Sequence, residues 1–142
     1  MSELRQRAIR LLARREHSRA ELIRKLAADG TTEEIAAVLA QLETEGLLSD
    51  ARYAEAYVRS HCARFGAARL RQTLRSKGID AELVNAQVGT LEGELERARA
   101  VWARKFAAVP RDAREWARQG RFLQNRGFAV DVIRQLLKEP VE

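Results

Sequence analysis

Through its middle the chain reads Arg69-Leu70-Arg71-Gln72-Thr73-Leu74-Arg75-Ser76-Lys77-Gly78-Ile79-Asp80-Ala81-Glu82-Leu83, and the same pattern occurs three times. Its fixed point is a glycine, Gly30, Gly78 or Gly127, at intervals of 48 and 49 residues. Four positions before each glycine stands a leucine (Leu26, Leu74, Leu123), and four after it an acid (Glu34, Glu82, Asp131). One further on comes an aliphatic (Ile35, Leu83, Val132). Eight before, Leu22 and Leu70 agree while Gln119 departs. A glycine can take positive φ, so it can end one helix and turn at once into the next, whose first turn welcomes an acid. The pattern predicts a helix–Gly–helix turn in triplicate.

Working outward, each segment follows another amphipathic stretch: Leu4 to Leu12, then Tyr53 to Val58, then Leu95 to Trp102. Apolar residues recur at three and four, strand-like alternation is absent, and Ala, Leu, Arg and Glu dominate, all strong helix formers. Ser18 with Glu21 and Thr31 with Glu34 are capping-box patterns, and Ser49 or Asp50 should cap a fourth helix. Gly30 suits a left-handed helix end, Gly46 ends the third helix, and Pro110 stops a later one. The expected fold is all-α: three tandem three-helix repeats, helix-turn-helix-like, at residues 1–48, 49–92 and 93–142. A three-helix unit buries little alone, and stacking on neighbours extends its core.

The chain has 142 residues, 26 Lys plus Arg against 20 Asp plus Glu, and one Cys. One cysteine makes no internal disulfide, and no Cys/His spacing suits zinc. No apolar run approaches a membrane span, and the charged Met1–Arg10 does not read as a secretory leader, so a cytoplasmic location is expected. The eight glycines are dispersed and cradle no phosphate, and His61-Cys62 lacks the third partner a nucleophile needs. Neither enzyme activity nor a cofactor is expected. The net charge of +6 leaves an anionic partner, nucleic acid or an acidic protein surface.

That charge is uneven. Residues 1–50 hold 8 bases and 9 acids (−1), 51–92 hold 7 and 4 (+3), and 93–142 hold 11 and 7 (+4). From Ala56 to Ile79 there is no acid at all. Within that run Arg64, Arg69, Arg71, Arg75 and Lys77 are the leading candidates for partner contact; Arg71 and Arg75, four apart, share a helix face. Arg118, Arg121 and Arg126 form a second patch, and Arg24 with Lys25 a third. A charged helix face can also be merely solvated. The few aromatics, Tyr53, Tyr57, Phe122, Phe128, Trp102 and Trp116, read as packing groups, and His17 as support for a turn.

Four blocks in order resemble the RecX family of regulators of the RecA recombinase. They are Arg15-Glu16-His17-Ser18-Arg19-Ala20-Glu21-Leu22, Gly46-Leu47-Leu48-Ser49-Asp50-Ala51-Arg52-Tyr53-Ala54-Glu55-Ala56-Tyr57, the basic stretch from Arg69 to Ile79, and Arg121-Phe122-Leu123-Gln124-Asn125-Arg126-Gly127-Phe128. The resemblance implies an elongated, curved array that binds the RecA–DNA filament along its groove. It implies inhibition of ATP hydrolysis, strand exchange and coprotease activity, and restraint of recombination and the SOS response. A monomer with weak nonspecific affinity for single- or double-stranded DNA is expected. The alternative is a direct DNA-binding module, in which a basic helix after a turn enters a major groove.

Overall fold

In the computed structural model, which describes residues 2–138, nine helices and no strands occur among the described residues. They are α1 (Glu3–Arg14), α2 (Arg19–Leu26), α3 (Thr32–Thr44), α4 (Asp50–His61), α5 (Ala67–Ser76), α6 (Ala81–Val88), α7 (Glu94–Lys105), α8 (Ala113–Asn125) and α9 (Val130–Leu137). The caps stand where the sequence puts them. Ser18 and Thr31 each accept from the amide three residues on while Glu21 and Glu34 reach back, closing both capping boxes. Ser49 Oγ accepts from the Arg52 amide at 3.1 Å, so Ser49 rather than Asp50 caps α4. The Asp50 carboxylate instead accepts from the Arg19 amide at 2.8 Å, at the start of α2.

The helices gather into two compact units that cut through the middle three: among the described residues, 2–57 with Leu74–Val84, and Val58–Thr73 with 85–138. The core of the first unit is Leu4, Ala8, Leu22, Leu26, Ile35, Leu39, Leu42 and Leu48. That of the second is Ala98, Val101, Leu123, Phe128, Ile133, Leu136 and Leu137, with Trp102, Trp116 and Phe122 packed on it. Each fully buried leucine contributes about 2 kcal/mol of transfer free energy.

The leucine of the repeat, Leu26, Leu74 or Leu123, is fully buried in all three copies. The glycine after it behaves differently in the first. Gly78 and Gly127 have φ of +80° and +92°. Each closes a doubly bonded helix end: Ile79 N–H donates to Leu74 O and Gly78 N–H to Arg75 O, while Phe128 donates to Leu123 and Gly127 to Gln124. Ile79 and Phe128, next in sequence, are buried. Gly46 ends α3 in the same way. Gly30 does not take the left-handed conformation expected of it. Thr31 follows at once as the cap of α3, leaving no residue to turn back onto the helix. The next helix starts one residue closer to the glycine there, at Thr32 against Ala81 and Val130 in the other copies, and the buried register shifts with it, to Ile35 in the first copy and to Val84 and Ile133 in the others.

The two later glycines have a second duty. Within the first unit Gly78 packs on Ala20, and Ser18 Oγ donates to Lys77 O at 2.8 Å. Within the second unit Gly127 packs on the Arg69 backbone, the Gly66 amide donates to Arg126 O at 2.8 Å, and the Ala68 amide donates to Gly127 O at 3.2 Å. In both places the turn leading into one middle helix lies against the Gly turn that ends the next repeat's middle helix. Such close approach requires a residue without Cβ.

Two other departures have local causes. Gln119, the break in the leucine pattern, is 2% exposed. It accepts from the Trp102 indole N–H at 2.8 Å and donates to Ala108 O at 3.1 Å, so it ties the α7–α8 link to the core. And α7 ends at Lys105, well ahead of Pro110, because Phe106 turns extended and packs its ring edge-on to Phe122 at 5.4 Å.

Candidate partner-binding surface

Among the described residues, five cations of the first unit are paired with carboxylates. Arg5 pairs with Glu45 at 2.6 Å, Arg19 with Glu43 at 3.0 Å, Arg7 with Asp29 and Arg52 with Glu16. Arg15 grips the buried Glu21 at 2.9 Å. Burial would raise the Glu21 carboxyl, but the Arg15 guanidinium, the Ser18 amide and the nearby Lys77 charge outweigh it and hold the group at about 2. The Tyr53 hydroxyl, buried beside Glu21, is pushed up to about 12. His17 is 1% exposed, and burial pushes its imidazole below the ordinary value. Its Nδ1 faces Arg15 O at 3.0 Å and must carry the proton, leaving Nε2 to accept from Lys25 Nζ at 3.1 Å. His17 thus supports the turn.

These contacts place the ten candidates. Lys25 is exposed but its ammonium is committed to His17, and Arg24 is exposed beside it. Arg75 is exposed, while half-buried Lys77 gives its carbonyl to Ser18. In the second unit Arg71 donates to Asn85 Oδ1 at 2.7 Å. Arg118 forks onto Glu115 at 2.6 and 3.0 Å, and that pairing, with the Gln119 amide, holds the Glu115 carboxyl at about 2. Arg121 is exposed on α8.

The remaining three converge. Arg64, Arg69 and Arg126 all stand over the Phe65 ring, at 5.6, 4.4 and 5.8 Å from its centroid. Arg126 also lies over Phe122 at 5.1 Å, with Lys105 at 5.8 Å. Arg69 donates to Asn125 O at 3.1 Å, which fixes its stem. Between them opens a groove of about 320 Å³ lined by Arg64, Val101, Arg104, Lys105, Phe122 and Arg126. Arg97 buttresses it: its guanidinium donates to Cys62 O at 2.7 Å and Phe65 O at 3.4 Å, pinning the α4–α5 turn to α7. Among the described residues no carboxylate pairs with Arg64, Arg104, Lys105 or Arg126. Aromatic rings hold Arg64, Lys105 and Arg126 instead, each contact worth about 0.5–1 kcal/mol at an exposed site, and a ring leaves the positive charge uncancelled.

Phe65, Arg104 and Lys105 are absent from the sequence-based candidates. Phe65 lies inside the acid-free run, which was its one available signal. Arg104-Lys105 is a dibasic helix end, and such ends commonly serve only the helix dipole.

Among the described residues no helix is long and apolar enough to cross a membrane, and no cluster of His, Cys, Asp and Glu could hold a metal.

Comparison with known proteins gives one answer along the whole chain. Family models match at residues 5–42 (RecX, first three-helix domain), 49–86 (RecX, second three-helix domain) and 92–137 (RecX, third three-helix domain). The chain is 53% identical over 137 residues to the regulatory protein RecX of Leptothrix cholodnii, covering 95% of this chain and 87% of that one. To the regulatory protein RecX of Pseudomonas syringae pv. tomato it is 48% identical over 141 residues, covering 94% and 89%. A crystal structure of regulatory protein RecX superposes with a TM-score of 0.83 at 23% identity, over 96% of this chain and 72% of that one.

Proposed function

The chain belongs to the RecX family, and on that premise we propose that it is a negative regulator of RecA. In this reading it binds the RecA–DNA filament along the filament groove, inhibits ATP hydrolysis, strand exchange and coprotease activity, and so restrains recombinational repair and the SOS response. It acts without catalysis of its own, as a cytoplasmic monomer. The observation that carries the reading is the match of three tandem RecX domains over nearly all the described residues.

Its binding modules are the three repeats at 1–48, 49–92 and 93–142. Each need bind only weakly, because linkage makes the second and third engagements intramolecular and raises the total affinity. The uncancelled cations of the second unit support an anionic target, and long-range attraction of that kind speeds encounter. Weak, nonspecific affinity for DNA accompanies this charge. Sedimentation of RecA filaments formed on single-stranded DNA tests the reading. The chain is expected to pellet with the filament at near-stoichiometric amounts; a chain left wholly in the supernatant would count against it.

A further inference from the structure

We infer that the groove of the second unit seats the phosphodiester backbone of a nucleic acid strand, through Arg64, Arg104, Lys105 and Arg126. The inference deepens the proposed function, on which it rests for its biological meaning. It separates DNA-facing residues from those facing the recombinase.

Three observations carry it. The first is the state of the charges. Where other arginines of this chain are neutralised by carboxylates, such as Arg15 on Glu21 and Arg118 on Glu115, the groove cations have no such partner among the described residues. The second is their arrangement. Arg64, Arg69 and Arg126 share the Phe65 ring, and Arg126 and Lys105 share Phe122, so these four form a continuous chain held in place by rings, with Arg104 next to Lys105 on α7. Guanidinium groups with restrained stems and free forks suit phosphate oxygens. The third is the lining. Beside the four cations it holds only Val101, which is 5% exposed, and Phe122, whose ring meets Phe106 edge-on, with no carboxylate among the lining residues. Cations in series along an open groove match the regularly spaced anionic oxygens of a sugar–phosphate chain, a contact independent of base sequence.

The test uses the full chain alone with a fluorescent oligothymidylate, titrated at several salt concentrations. Each phosphate contact contributes about 0.7 to the slope of log affinity against log salt for a single strand. Because Arg104 and Lys105 are exposed, R104Q/K105Q preserves the fold and is expected to weaken binding about tenfold and lower the slope by about 1.4. R64Q/R126Q, checked for folding by circular dichroism, is expected to do the same. R10Q/R14Q, at exposed positions of α1 outside every candidate patch, is expected to bind as the unaltered chain does. Wild-type affinity and slope in both groove variants would overturn the inference. So would competition by polyglutamate as effective, charge for charge, as that of unlabelled oligothymidylate, which would make the groove an acidic-peptide site. Because this assay contains no RecA, it decides the groove even if the chain proves to have no effect on RecA.

Discussion

Replacing Gly127 with Ala is expected to destabilise the fold by about 3 to 5 kcal/mol, read from urea unfolding. Two costs combine. At φ +92° a Cβ strains against its own carbonyl, and the added methyl would fall 2.5 Å from the Arg69 amide nitrogen, which is backbone and cannot swing aside. Gly66→Ala meets the same junction from the other side, since its Cβ would reach the Gly127 carbonyl and approach Phe128 N to 2.6 Å. Gly30→Ala is the internal control. Its φ is ordinary and the nearest atom is the flexible end of Leu4, at 3.2 Å, so its effect should stay within about 1 kcal/mol in either direction. If Gly127→Ala proved as mild as Gly30→Ala, the role assigned to the glycine junction would be wrong.

The second large effect is acid-dependent. Glu21 sits at about 2 in the folded chain against 4.5 for a free glutamate. A depressed carboxyl stabilises the fold fully above its unfolded value and loses that contribution as pH falls toward the folded one. The shift corresponds to roughly 3 kcal/mol, present at pH 7, fading below about 4.5 and gone near 2. The Glu21 side chain is 5% exposed but its partner Arg15 is 50% exposed, so solvent screening makes this figure an upper bound. Glu21→Gln should therefore be less stable at neutral pH, and the gap between it and the unaltered chain should close between pH 5 and 2. A gap that stays constant over that range would show that the Arg15–Glu21 pair is not its source. Glu115, likewise depressed, is a third exposed and paired with the more exposed Arg118 within one turn of α8, and Glu115→Gln should leave acid stability nearly unchanged.

Periodicity, caps and repeats were legible from residue types alone, because they depend on local chemistry. Leu26, Leu74 and Leu123 announce their burial by position, and Ser18–Glu21 announces a cap. Gly30 departs because the next helix starts one residue closer to it than to Gly78 or Gly127, which removes the need for positive φ, and only the backbone reveals that. The basic candidates were legible as charge but not as state. Nothing in Lys25 or Arg118 foretells His17 or Glu115 as a partner. Arg64 and Arg126 are 62 positions apart in sequence and meet at Phe65 only because Gly66 and Gly127 let two turns touch. The RecX blocks have a physical counterpart of the same kind. Arg15, Glu16, His17, Ser18 and Arg19 bind Glu21, Arg52, Lys25, Lys77 and Asp50, so much of the first signature holds the first unit together.

The central claim, that the chain restrains RecA, is tested most directly by ATP hydrolysis. RecA is assembled on single-stranded DNA, and the steady-state rate is followed as the chain is added. The account predicts a progressive fall in rate at or below one chain per RecA subunit, with the groove variant R64Q/R126Q inhibiting less. An unchanged rate at several-fold excess of the folded chain would contradict it.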